Sequence, residues 1–167
     1  DGVFSSLAYR GIVKKLVYQF KYKPHLTDLK ELLTDFFYEG LIQKEGFYRL
    51  LQEEVLFVPI PLHSAKYKKR GYNQSQLLAE SLAKRFSLKV AHVLERIQNT
   101  PTQVGLSQEK RLENIKGAFG VKEPISKVSH VFLVDDVVTS GATLTEAAKV
   151  LKKAGVGKVW GVTLAHG

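Results

Sequence analysis

Two aspartates, Asp135 and Asp136, stand side by side directly after the apolar run Val131-Phe132-Leu133-Val134, and Thr139-Ser140-Gly141-Ala142-Thr143 follows almost at once. Small residues at Ser140, Gly141 and Ala142 let successive backbone N–H groups approach an anion, while Thr139, Ser140 and Thr143 add hydroxyl donors. A phosphate is the natural occupant of such a turn. The two carboxylates need a partner that donates, and a sugar with two neighbouring hydroxyls supplies donors within reach of its own phosphate. Ribose 5-phosphate satisfies both halves. A plainer reading, in which the acids end a strand and the turn caps a helix, serves as well for the turn alone. The apolar run, the acid pair and the turn together agree on one ligand.

Other phosphate templates fail on spacing. A P-loop needs a lysine after its last glycine, and none follows Gly141; a dinucleotide fingerprint needs companion glycines that Gly141 lacks. A phosphoacceptor receiver domain carries its acid pair near the start of the chain, whereas here the pair lies near the end.

Elements that could position the pair are visible in the apolar pattern. Val131–Val134 reads as a buried strand ending at the aspartates, and Leu144, Ala147, Ala148, Leu151 and Ala154 mark a helix closed by Gly155. Val159–Leu164 supplies the next strand, so the unit is a right-handed crossover of a parallel sheet, with ligands expected beyond the strands' carboxyl ends. Val55–Val58, stopped by Pro59 and Pro61, reads as a central parallel strand. Ile12, Leu16 and Phe20 mark one helix, Leu29, Leu32, Leu33, Phe36 and Phe37 a second beyond Pro24, and Leu78, Leu82 and Phe86 a third ending near Ser87. The polar stretch from Arg96 to Glu113 reads as a long loop, with a turn of helix near its end, and as a candidate lid. Trp160, in a strand pattern, is expected in the core.

The chain has 167 residues and 44% hydrophobic content, enough for one compact domain over 1–167. It contains no cysteine, and its five histidines show no paired ligand spacing, which excludes disulfides and thiolate zinc. No apolar stretch approaches a membrane span, and the first residues lack the plan of a signal peptide. A soluble, cytoplasmic protein is the expectation. A chain opening on Asp1 without any methionine is expected to be a trimmed piece. The net charge of +9 favours phosphates, nucleotides or nucleic acid without choosing among them. Lys66, Lys68, Lys69 and Arg70 could bind pyrophosphate or a nucleic-acid backbone, or form a solvated face, and His63 could donate to a phosphate.

VFLVDDVVTSGATL, from Val131 to Leu144, resembles the binding signature for phosphoribosyl pyrophosphate (PRPP) of type I phosphoribosyltransferases. Val58 to His63, Arg70 to Ser75, then Arg96, Thr100, Gln103, Leu106, Arg111 and Asn114 before Gly117-Ala118-Phe119 resemble the ComF family of competence-associated phosphoribosyltransferase-like proteins. Tyr9, Gly11 and Phe20-Lys21-Tyr22 continue the match over nearly the whole chain. The resemblance implies an α/β fold of type I phosphoribosyltransferase (Rossmann-like) form, a central mainly parallel sheet flanked by helices. It implies that Asp135 and Asp136 contact the ribose hydroxyls and that Thr139, Ser140, Gly141, Ala142 and Thr143 hold the 5′-phosphate. The turn carrying Ile60, Leu62 and His63, with Lys66 and Arg70, would face pyrophosphate. Asn73, Gln74, Arg96, Gln103 and Arg111 are family additions.

Many transferases of the superfamily carry an acid, a candidate general base, where this chain has Thr139. The family usually carries a four-cysteine zinc ribbon ahead of this domain, here read as removed or dispensed with. The implied activity is transfer of a phosphoribosyl group with release of pyrophosphate, with Mg²⁺ held through PRPP, in DNA uptake during natural transformation. The alternative is a non-catalytic PRPP sensor that handles single-stranded DNA.

Overall fold

The computed structural model describes residues 1–22, 27–100, 107–123, 125 and 129–167. In chain order the elements are β1 (Gly2–Ala8), α1 (Gly11–Tyr22), α2 (Thr27–Ile42), α3 (Glu45–Leu50), β2 (Val55–Pro59), α4 (Ser64–Arg70) and α5 (Gln74–Phe86). They continue with β3 (Lys89–Val90), β4 (Leu94–Arg96), α6 (Gln108–Ile115), β5 (Phe119–Val121), β6 (His130–Val138), α7 (Ala142–Lys153) and β7 (Lys158–His166). Five strands form one sheet in the order β1-β7-β6-β2-β3, every neighbouring pair parallel. β4 and β5 pair antiparallel as a separate two-stranded ribbon.

The sheet is covered on both faces. Phe57, Phe132, Val134, Val162 and Leu164 pack on one side with Val17 and Phe20 of α1, Leu33, Phe37 and Leu41 of α2, Phe47 of α3 and Leu78 and Leu82 of α5. Val58, Val131, Leu133 and Val159 pack on the other with Leu144, Ala147 and Leu151 of α7 and with Leu94 and Phe119 of the ribbon. Burial on two faces explains the unbroken apolar runs of β2 and β6. α2 approaches β1 closely: the Ser6 hydroxyl donates to the Phe37 carbonyl at 2.8 Å, and a Cβ at Gly40 would come within 2.3 Å of the Ser6 Cβ. No side chain fits there.

Several elements differ from their sequence reading. The buried stripe of α1 runs through Val17 and Phe20, leaving Ile12 66% exposed, and that of α2 steps by four through Leu29, Leu33, Phe37 and Leu41, leaving Leu32 and Phe36 on the outer flank. The turn of helix read near the end of the stretch from Arg96 to Glu113 is α6, which starts at Gln108 on the Ser107 N-cap and is longer than one turn, running to Ile115. β6 does not stop at the acid pair but carries it within the strand. Trp160 packs against Phe4 with ring centroids 5.6 Å apart. Pro24 and Gln103 lie outside the described residues.

Candidate functional site

β2 leads through α4 and α5 to β3 in one direction across the sheet, while β6 leads through α7 to β7 in the other, with α5 and α7 on opposite faces. Crossovers that diverge in this way open a crevice at the carboxyl ends of the two strands between them. β2 ends at Pro59 opposite Val134, and after the Ile60 N–H donates to the Val134 carbonyl at 2.9 Å the chain turns away. β6 runs on to Val138. Asp135 is thus the first residue of β6 with no β2 neighbour. It lies at the floor of a cleft of about 580 Å³ that Tyr9, Lys21, Tyr22, Ile60, Leu62, Ser75 and Asp136 also line.

The two carboxylates have different surroundings. Asp136 is buried; its Oδ1 accepts from the Val137 N–H at 2.9 Å and its Oδ2 lies 2.8 Å from Lys21 Nζ. In Asp135, Oδ1 accepts from the Ser75 hydroxyl at 2.7 Å and from the Asp136 N–H at 2.9 Å. Desolvation first, then the neighbouring Asp136 charge, pushes the Asp135 carboxyl up to about 7, against the opposing pull of Lys21 and the two hydrogen bonds. Burial works to lower Lys21, but Asp136 and then Asp135 outweigh it and leave its ammonium raised.

The turn after β6 closes the cleft on the side of α7. Gly141 is the N-cap of α7 with φ of 74°, a left-handed conformation that only glycine adopts freely, and nothing stands within 4 Å of where its Cβ would be. The positive end of α7 lies behind this turn. Thr139 and Thr143 line the cleft, whereas Ser140 turns its hydroxyl to the Ala142 N–H at 3.4 Å.

Cations crowd the cleft. Lys66, Lys69 and Arg70 reach the cleft from α4, Arg96 from β4 and Arg111 from α6. Burial and then the charges of Arg96 and Arg70 hold Lys66 below its usual range, and burial lowers Arg96 against the pull of Asp135. Among the described residues the Nε atoms of Arg96 and Arg111 are buried without a hydrogen-bond partner. Like charges held together in this way favour an anionic guest.

Residues 73–166, from the N-cap of α5 through β6, the turn and α7 into β7, match the phosphoribosyl transferase domain family. The same chain is 38% identical over 113 residues to Competence protein F of Haemophilus influenzae, covering 65% of this chain and 49% of that protein. It is 36% identical over 125 residues to DNA utilization protein YhgH of Salmonella typhi, covering 66% and 55%. Against Competence protein ComFC of Bacillus subtilis the identity is 28% over 154 residues, covering 90% and 58%. The chain belongs to the phosphoribosyltransferase family, in its ComF branch. It spans about half the length of the curated relatives it matches.

Within this ComF-type domain, most of the residues picked out by sequence come together. Asp135, Asp136, Thr139, Thr143, Ile60, Leu62, Lys66, Arg70, Gln74, Arg96 and Arg111 all line the one cleft. Others support it from behind. Asn73 caps α5 by accepting from the Ser75 N–H at 3.1 Å and donates through Nδ2 to the Ile60 carbonyl at 3.0 Å, fixing the turn after β2. Gln74 accepts from the Arg70 guanidinium, which also lies over the Tyr22 ring. His63 is absent from the cleft lining: it is the N-cap of α4, its Nδ1 accepting from the Ala65 N–H at 3.2 Å. Lys21 and Ser75 are the residues to which sequence reasoning gave no role. Both sit inside the ComF-like motifs, which was the only signal available, because their contacts to the aspartates span distant parts of the chain.

Proposed function

We propose that the cleft binds PRPP and that the chain transfers its phosphoribosyl group to a nitrogen nucleophile. The observation that carries this reading is the meeting, at one switch point, of the acid pair, the open Gly141 turn and the crowded cations. The Thr139–Thr143 turn and the start of α7 take the 5′-phosphate, the acid pair takes the ribose hydroxyls, and Lys66, Arg70 and Arg96 face the pyrophosphate. As the nitrogen lone pair forms its bond to C1, the C1–O bond breaks and pyrophosphate leaves with the electron pair. The nitrogen's proton passes to water. Positive charge developing at C1 is stabilised by the carboxylate floor, and orientation supplies much of the rest.

Both oxygens of Asp136 are occupied and one of Asp135 remains, too few carboxylate donors for a Mg²⁺ held by protein alone. The ion fits as one carried by the oxygens of PRPP, where it would neutralise the leaving group. The relatives carry competence and DNA utilization in their names, which supports a link to DNA uptake for this chain. Among the described residues no helix is long and apolar enough to cross a membrane. All of residues 1–167 are taken to act as one domain.

PRPP with Mg²⁺ should raise the melting temperature, because a ligand that binds only the folded state adds roughly 2.7 kcal/mol at a hundred times its Kd. The double change Asp135→Asn and Asp136→Asn should remove the shift while leaving the fold intact. A shift that survives in the double variant would sink the assignment of the ribose site. A second reading, PRPP sensing without turnover by a protein that handles single-stranded DNA, is favoured by Thr139 in place of an acid and by the exposed Lys68 and Lys69 of α4. A PRPP-induced shift with no pyrophosphate released in the presence of nitrogen acceptors would select it.

A further inference from the structure

The acid pair is not symmetric, and the asymmetry originates in α1. Asp136 has both oxygens engaged, one by the Val137 N–H and one by Lys21 Nζ at 2.8 Å. Asp135 has only Oδ1 engaged, by Ser75 and the Asp136 N–H, and its Oδ2 carries no hydrogen bond from the described residues. Lys21 itself lines the cleft with its side chain 24% exposed, and an ammonium has three donors, of which Asp136 takes one.

We propose that Lys21 is a ligand-positioning residue that divides the labour of the pair. It holds Asp136 as a fixed carboxylate and leaves Oδ2 of Asp135 as the oxygen that accepts from the sugar's hydroxyls. This rests on the reading of the cleft as a ribose 5-phosphate site and adds what makes that site work near neutral pH. The charge of Asp136 raises the Asp135 carboxyl and that of Lys21 opposes it, because a nearby like charge resists joint ionisation and an opposite one favours it. The groups facing Asp135 are Asp136 on β6, Lys21 on α1, Ser75 on α5 and Arg96 on β4, with Tyr9 beyond β1 facing Lys21. Lys21 is the cation in direct contact with the pair.

Hydroxyl donors favour the ionised carboxylate, so affinity for the sugar should rise as the Asp135 carboxyl, about 7 in the free protein, loses its proton. Without Lys21 the pair should hold that proton to higher pH.

The test is isothermal titration of metal-free ribose 5-phosphate from pH 6 to pH 9 with the parent, K21M, K21Q, K21R and D135N, each checked by circular dichroism. The ligand's own phosphate titration is common to all and cancels between variants. The parent's affinity should rise with a midpoint near 7, and K21M or K21Q should move that midpoint up by about one unit, a roughly fivefold loss at pH 7 that recovers at high pH. K21R should restore the midpoint, and D135N should flatten the profile. A parent that binds, with K21M and K21Q weakened equally at every pH or not at all, overturns the role of Lys21 alone. A parent that does not bind ribose 5-phosphate overturns the reading of the cleft and this inference with it.

Discussion

The guanidinium of Arg111 donates to the hydroxyl of Thr139 across 2.8 Å, so α6 is latched to the turn at the end of β6. A phosphate in that turn would compete for both groups and replace a contact charged on one side with one charged on both. Amides of residues 107–115 should therefore gain protection from hydrogen exchange when PRPP is added, and R111M should weaken PRPP binding by roughly tenfold to a hundredfold, the usual worth of a hydrogen bond to a charged group at ~1.5–3 kcal/mol. Equal protection with and without PRPP would make α6 a fixed wall.

Gly141→Val should cost about 1–3 kcal/mol of stability, because a β-branched residue must then hold φ near 74°. Its side chain would also fill the open space before α7. Titration with ribose 5-phosphate should show binding abolished in a protein whose circular dichroism is unchanged. Retained affinity would place the phosphate elsewhere.

The Asp135 carboxyl, at about 7 in the folded protein against an ordinary 3.8, makes stability depend on pH in a defined direction. Between those values the unfolded chain gives up its proton first, so this group's stabilising contribution is complete below about pH 4, declines as pH rises towards 7 and is gone above it. Asp135→Asn has no such proton. Thermal melts without ligand at pH 5 and pH 8 should show the variant gaining on the parent at the higher pH. A constant difference would mean that the carboxyl is not shifted.

Lys66 donates to the Thr100 carbonyl at 2.8 Å inside the cleft, while Lys68 and Lys69 are exposed on α4, Lys69 at the cleft's edge. If single-stranded DNA binds this surface, K68A/K69A should flatten the slope of log affinity against log salt by up to about 1.4, at roughly 0.7 per neutralised phosphate. K66A should leave it nearly unchanged. Fluorescence anisotropy with a labelled oligonucleotide across salt concentrations gives both slopes, and identical slopes for parent and double variant would remove DNA from the partners of α4.

What could be read from sequence was what repeats or clusters locally. β2, β6 and β7 are buried on both faces and so are continuous apolar runs, and α5 and α7 carry clear stripes. α4 has no buried residue, so its Lys-rich sequence looked like a charge run; α6 is polar, with Ile115 the residue it buries, and gave no periodic signal. β1, GVFSSLA, alternates too weakly to stand out and is a strand because β7 pairs with it. In the site, the turn and the acids were legible because they are contiguous. The partners that distinguish Asp135 from Asp136, Ser75 and Lys21, are brought in by two other helices, a relation that no local pattern encodes.

The pairing of β1 with β7 orders events in time. Ser5 and Thr163, whose hydroxyls meet at 2.6 Å, are 158 positions apart, so β1 has no strand to pair with until β7 exists. Such a closure is among the longest this chain can make, and contacts of that separation slow folding. On the ribosome β1 would wait through the synthesis of every other element. β6, α7 and β7 would meet within a few dozen residues, so the floor of the cleft is assembled before the edge that completes the sheet.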